Sequence, residues 1–275
     1  MIGPRPIAER EVPGVMLEVG TFVALGDSFT EGLGDPYPDG TGRYRGWADR
    51  FAQRLAADQP GLRYANLAVR GKLTASIVAE QIPPAIAMAP DLVSLAAGGN
   101  DLLRPWSSDP DKVAETFDRA VCELRAVGCE VVIFTGFDPG MFPLIRLIRG
   151  KAAAYSMHLR AIADRSGCHL VDLWSMRVLG DSREWSADRL HMSPDGHRRV
   201  ALRVCEVMGL EVDEDWREPL PPRLGEAALS GSARWFAARR MDALWTRDHA
   251  APWFARRLRG VTSDGLPKRP ELLPL

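Results

Sequence analysis

Four short segments hold the residue types that acyl transfer requires. Leu25-Gly26-Asp27-Ser28-Phe29-Thr30-Glu31-Gly32 follows an apolar run. A serine placed where a strand gives way to a loop can present its hydroxyl and its backbone N–H to one cleft, although Gly-Asp-Ser also serves as an ordinary turn. Far along the chain comes Asp188-Arg189-Leu190-His191-Met192-Ser193-Pro194. Ser193-Pro194 is a helix-start signal, with serine at the cap and proline at the first helical position, so His191 sits on the preceding loop. An acid three residues ahead can fold back onto the ring Nδ1–H and leave Nε2 to take a proton from a serine. Taken alone, Asp188 can equally cap a turn while His191 packs. Leu95-Ala96-Ala97-Gly98-Gly99-Asn100-Asp101 offers an asparagine amide to a developing oxyanion, or else an Asx turn between strand and helix. Asn66-Leu67-Ala68-Val69-Arg70-Gly71-Lys72 offers the Gly71 N–H as a further donor.

These segments must be positioned by a scaffold. Apolar runs bounded by Gly, Pro or Asp at Thr21–Leu25, Tyr64–Leu67, Leu92–Ala96, Val131–Thr135 and His169–Leu173 predict buried strands. Helical spacing falls between them, at Trp47–Ala57, Val113–Val127, Ala152–Ser166 and Pro194–Met208. The alternation predicts a parallel sheet covered on both faces, with its site at the carboxyl ends of the strands. All four chemical segments follow strands or precede a helix, and so converge on one edge.

Composition narrows the classes. With 46% hydrophobic and 26% charged residues in a 275-residue chain, a sizeable globular core is available. A net charge of −1 gives no general attraction to nucleic acid or an anionic membrane. Cys122, Cys129, Cys168 and Cys205 form no C-x-x-C pair and no zinc spacing, so no metal is expected. There is no phosphate-loop motif, no continuous apolar leader and no 18-residue apolar run, which predicts a cytoplasmic protein without a membrane span.

Together the four segments resemble the conserved blocks of the SGNH (GDSL) hydrolase family, in the family's order, over residues 21 to about 208. The resemblance implies a flavodoxin-like three-layer α/β/α sandwich with a parallel five-stranded sheet. It also implies ester hydrolysis through a covalent acyl-enzyme, with no metal or organic cofactor. Carried over by position, Ser28 is the nucleophile, His191 the general base and Asp188 its orienting acid. The backbone N–H groups of Ser28 and Gly71 and the Asn100 side chain form the oxyanion hole. Asp27 and Asp101 fix loop geometry behind them. Phe29 stands where leucine is usual, and Ala68 where glycine is usual. His158, His169, His197 and His249 match no block and are expected to pack on surfaces or helix faces.

The expected substrate is a small-molecule ester of a small or medium acyl group; an acyltransferase or a deacetylase of sugars or polar metabolites would use the same triad. Gly32–Gly46, with Tyr37, Arg43, Tyr44 and Arg45, either contacts a polar acyl acceptor or is a solvated loop. Phe137–Gly150 is apolar enough to line an acyl pocket or to begin the next helix. By organisation, residues 1–20 form an N-terminal arm, 21–210 the catalytic domain, and 211–275 a linker with a helical extension. The extension's segments Gly225–Met241 and Asp242–Gly260 are rich in Trp and Arg, so they either pack on the core or form a protein-interaction module, and the final DGLPKRPELLPL is expected to be an extended tail. Oligomeric state is left open.

Overall fold

A computed structural model describes residues 18–104, 108–142, 145–221 and 265–275. Five strands pair in parallel: β1 (Thr21–Gly26), β2 (Arg63–Asn66), β3 (Leu92–Ala96), β4 (Glu130–Phe134) and β5 (His169–Val171). A sixth strand, β6 (Arg269–Pro274), runs antiparallel to β2. The spatial order is β5-β4-β3-β1-β2-β6. The chain therefore reverses its winding direction around β1, which opens a crevice at the carboxyl ends of β1 and β3.

Strand alternation divides the core. Phe22 and Ala24 of β1 face one layer, with Trp47, Phe51 and Leu55 of α2 (Gly46–Asp58) and Val200 and Val204 of α7 (Pro194–Val207). Val23 and Leu25 face the opposite layer, made by α3 (Thr74–Ala87), α5 (Pro110–Ala126) and α6 (Arg149–Ser166). Two single-turn helices sit at the crevice, α1 (Ser28–Glu31) and α4 (Gly99–Leu102). The three-layer sandwich expected from the sequence is thus present, with its sheet widened from five parallel strands to six mixed ones. No helix among the described residues is long and apolar enough to cross a membrane.

Three departures from the sequence reading have physical causes. Helix α3 is not among the segments of expected helical spacing, and Pro83 and Pro84 lie inside it. Both prolines are exposed, as are Ala79 and Glu80, whose carbonyls lose their helical donors, so water can serve those carbonyls. The final segment is extended as expected, but it pairs with the edge of the sheet rather than hanging free. The stretch read as a linker docks instead: Trp216 is buried, its indole N–H donates to Glu206, and the Arg217 guanidinium lies 4.2 Å from its ring centre. The segments Gly225–Met241 and Asp242–Gly260, and most of the N-terminal arm, lie outside the described residues.

Candidate active site

Ser28 is the first residue of α1, two positions past the end of the central strand. Gly26 has φ +154°, and a Cβ there would stand 2.7 Å from the Ala96 carbonyl oxygen, so only glycine lets β1 and β3 close this tightly beneath the serine. The buried Gln81 amide completes the strand end, accepting from Gly26 N at 2.8 Å and donating to Gly26 O at 2.9 Å. Asp27 Oδ1 then caps α1 by accepting from Phe29 N at 3.0 Å.

His191 arrives from 163 residues away, its Nε2 3.0 Å from Ser28 Oγ. Its Nδ1 lies 2.6 Å from Asp188 Oδ2. A carboxylate can only accept, so Nδ1 carries the hydrogen and the Nε2 lone pair faces the serine hydroxyl. Asp188 is itself fixed: Oδ1 accepts from Ser186 Oγ at 2.6 Å and from Leu190 N and His191 N, each at 3.0 Å. Burial alone would push the Asp188 carboxyl up, but the hydrogen bonds and charge of His191, with Ser186 adding to them, outweigh it and hold the group well below the usual carboxylate range. It therefore stands as a permanent anion behind the imidazole.

The loop carrying this pair is closed at its base. Trp185 and Met192 form an antiparallel bridge, Ser186 N donates to His191 O at 2.8 Å, and Ser193 N donates to Glu184 O at 2.9 Å. Ser193 caps α7, accepting from Gly196 N at 3.3 Å. Beneath it, the buried Glu184 Oε1 meets Arg199 Nε at 2.7 Å, and Arg199 Nη1 donates to the Trp216 carbonyl at 2.7 Å. On the other side, the segment after the serine touches the same loop: a Cβ on Gly34 would lie 2.0 Å from Met192 O.

Asn100, on α4, donates from Nδ2 to Asp27 Oδ2 at 2.7 Å and to Lys72 O at 3.0 Å. It thereby ties together the loops that follow β1, β2 and β3. Gly71 turns the second of these loops with φ +79°. Asp101 Oδ2 accepts from Thr74 N at 3.0 Å and Thr74 Oγ1 at 2.9 Å, anchoring the start of α3. Ser28, His191 and Asn100 line an apolar cavity of about 190 Å3, whereas Gly71 lies outside that lining. Phe137, Pro139, Ile145 and Ile148 also line it, so part of the Phe137–Gly150 segment takes the pocket position and Arg149 onward begins α6. None of Tyr37, Arg43, Tyr44 and Arg45 does; Tyr37 instead donates to Asp49 at 2.8 Å.

Two residues at the site have no signal in the four segments. Ser186 holds Asp188, and only its Ser-x-Asp spacing hints at this. His197 is fully buried on α7, and its Nδ1 accepts from Trp47 N at 3.2 Å while Nε2–H donates to Leu33 O at 3.0 Å. It is a brace between α7, α2 and the segment after Ser28.

A serine hydroxyl, an imidazole lone pair aimed at it and an anion behind the imidazole can together perform nucleophilic acyl transfer. The chain is similar to known proteins in sequence and in fold. An uncharacterised Bacillus subtilis protein, YpmR, is 25% identical over 216 residues, 69% of this chain and 82% of its own. A Streptomyces rimosus lipase is 32% identical over 95 residues, 34% of this chain and 35% of its own. Among solved structures, the acetylxylan esterase Axe2 of Geobacillus stearothermophilus has the same fold, with a TM-score of 0.60 at 23% identity over 74% of this chain and 99% of that one. The α/β hydrolase LAE5 from a Lake Arreo metagenome gives 0.58 at 22% identity over 69% and 95%. Residues 24–199 match the GDSL-like lipase/acylhydrolase family as a continuous block, and the chain belongs to that family of carboxylic ester hydrolases.

Proposed function

We propose that the protein hydrolyses carboxylic esters of small or medium acyl groups through a covalent acyl-enzyme, with Ser28, His191 and Asp188 as the triad. The observation that carries this reading is the Ser28–His191–Asp188 relay, with links of 3.0 and 2.6 Å, opening directly into an apolar cavity. Ser28 Oγ attacks the ester carbonyl while Nε2 of His191 takes its proton. The tetrahedral intermediate collapses by losing the alkoxide, which leaves as the alcohol with the proton that His191 returns. Water, deprotonated by the same nitrogen, then attacks the acyl-serine and releases the acid. Asp188 stabilises the imidazolium in both halves.

The oxyanion is held by the N–H groups of Ser28 and Gly71 and by the Asn100 amide. Both hydrogens of Asn100 Nδ2 already have partners, so the amide serves the oxyanion by exchanging one of them. Asp27 and Asp101 keep the two loops in register for that exchange.

Purified wild type and Ser28→Ala should be assayed in parallel on p-nitrophenyl esters, with labelling by a fluorophosphonate that acylation-competent serines capture. The substitution should abolish labelling and lower kcat by about 10³–10⁶-fold. A Ser28→Ala protein that turns over at the wild-type rate removes the triad reading.

A further inference from the structure

The crevice beside Ser28 runs across the strand ends and is mostly apolar along its path. Its lining comes from both layers of the fold. Phe134, Ile145 and Trp185 belong to the core beneath α2 and α7, whereas Leu102, Ala152 and Tyr155 belong to the core beneath α3, α5 and α6. The crevice therefore starts at Ser28, at the end of β1, and crosses the carboxyl ends of β3 and β4 at Ala96, Ala97, Thr135 and Gly136. It then meets the buried face of α6. There the side chains of Ala152 and Tyr155, 6% and 2% exposed, form its wall.

The polar side chains along this path are already engaged. Thr135 Oγ1 donates to Asp172 Oδ1 at 2.8 Å and accepts from Trp174 N at 3.1 Å. Tyr155 OH donates to Ala97 O at 3.2 Å, and Trp185 Nε1 donates to Leu179 O at 2.7 Å. Both nitrogens of His197 are bonded to backbone, and Asp27 is bonded to Asn100. A sugar ring or a charged acyl group lying in the crevice would leave its own polar groups unpaired away from water. A hydrocarbon chain needs no such partner and gains by leaving water. An acetyl group would occupy only the mouth, beside Ser28, and leave the apolar path to α6 unused.

We propose that this crevice is an acyl-chain site and that the substrate class is esters of medium-chain fatty acids, in preference to acetyl esters. The proposal rests on the reading of Ser28 as the nucleophile. The acyl carbonyl sits at Ser28 with its chain lying over the ends of β3 and β4 toward Ala152, and the alcohol leaves on the solvent side.

The test is a p-nitrophenyl series of acetate, butyrate, hexanoate, octanoate and laurate with wild type, Ala152→Phe and Ile148→Ala, each scaled to active sites by fluorophosphonate titration, and with Ser28→Ala scaled to protein concentration. For wild type, each methylene up to the wall should raise kcat/KM about threefold to fourfold, the factor corresponding to ~0.8 kcal/mol per buried methylene. Ala152→Phe should lower the octanoate-to-acetate ratio of kcat/KM at least about tenfold. Should that variant fail to fold, Ile148→Ala tests the same path in the opposite sense, moving the optimum toward laurate. A wild-type optimum at acetate, or ratios unchanged by both wall substitutions, overturns the acyl-chain site even where Ser28→Ala is inactive. An active Ser28→Ala protein instead overturns the reading on which the proposal rests.

Discussion

The candidate nucleophile and base depend on neighbours that do no chemistry, and His197 is the most exposed of these to a change of pH. Burial is the main cause that pulls its pKa down to about 4; Lys268 and Arg50 act in the same direction, against the Leu33 carbonyl and Asp35. Its Nδ1 accepts from Trp47 N, so a proton added there would set two N–H groups against each other. An unfolded chain takes up this proton near the ordinary value of 6.5, and the folded chain only near 4. Between those values the unfolded state binds more protons, so stability falls as pH drops. The loss should reach as much as ~3 kcal/mol by pH 4. Urea midpoints measured from pH 7 to pH 4 should decline in wild type and decline less in His197→Asn, which starts from a lower midpoint. Parallel slopes in the two proteins would assign the acid sensitivity elsewhere. The convergence of Ser28, His191, Asp188 and Asn100 on one crevice was legible in the sequence, because each of their segments follows a strand or precedes a helix. The brace was not, since what defines it is two contacts, with Trp47 and Leu33, 150 and 164 residues away.

At the scale of elements, the loop from Glu184 to Ser193 carries both Asp188 and His191, and its base is pinned to α7 by the Glu184–Arg199 pair. Both side chains are almost wholly buried, at 1% and 3% exposure. Burial pushes the Glu184 carboxyl up against the pull of Arg199, the mark of a pair whose attraction only partly offsets desolvation. Breaking such a pair costs more than replacing it, because one charge is left buried alone. Arg199→Met should therefore destabilise by about 3–5 kcal/mol, while the double variant Glu184→Gln/Arg199→Met should recover part of that loss. Because the loop aims Nε2 at Ser28, the single variants should also lower kcat with little change in KM. Denaturant titration and steady-state kinetics on Arg199→Met, Glu184→Gln and the double variant check both statements, and a double variant less stable than either single one would count against them. The parallel strands and the amphipathic helices were legible because burial imposes periodicity over many residues. Helix α3 was hidden by Pro83-Pro84, since a sequence does not show that Ala79 and Glu80, whose carbonyls lose their helical donors, are exposed. Strand β6 was hidden because a short segment rich in proline carries no alternation of its own; its pairing with β2 comes from the edge it finds.

At the scale of the whole molecule, that edge strand decides how the final 65 residues relate to the catalytic layers. The chain passes Leu220, whose carbonyl accepts from Arg183 at 3.3 Å, and the described residues resume at Gly265. Lys268 Nζ then reaches Asp49 Oδ1 at 2.8 Å and donates to Arg45 O at 2.6 Å. Asp49 also accepts from Tyr64 OH and Tyr37 OH, each at 2.8 Å, and lies at the start of α2, close behind the serine segment. Beyond it, Arg63 donates to Leu272 O at 2.9 Å and Leu275 N to Leu62 O at 3.1 Å. A chain ending at Pro221 would lose the only lysine that meets Asp49 among the described residues and would expose the β2 edge to other chains. Such a truncation should lose about 3 kcal/mol or more and should aggregate on heating. Lys268→Met separates the two causes, because it removes the charge but keeps β6: it should destabilise to a similar extent while remaining monodisperse by light scattering. A chain ending at Pro221 that matched the full chain in denaturation midpoint would show that β6 is an appendage. The predicted loss instead makes β6 part of the hydrolase layers.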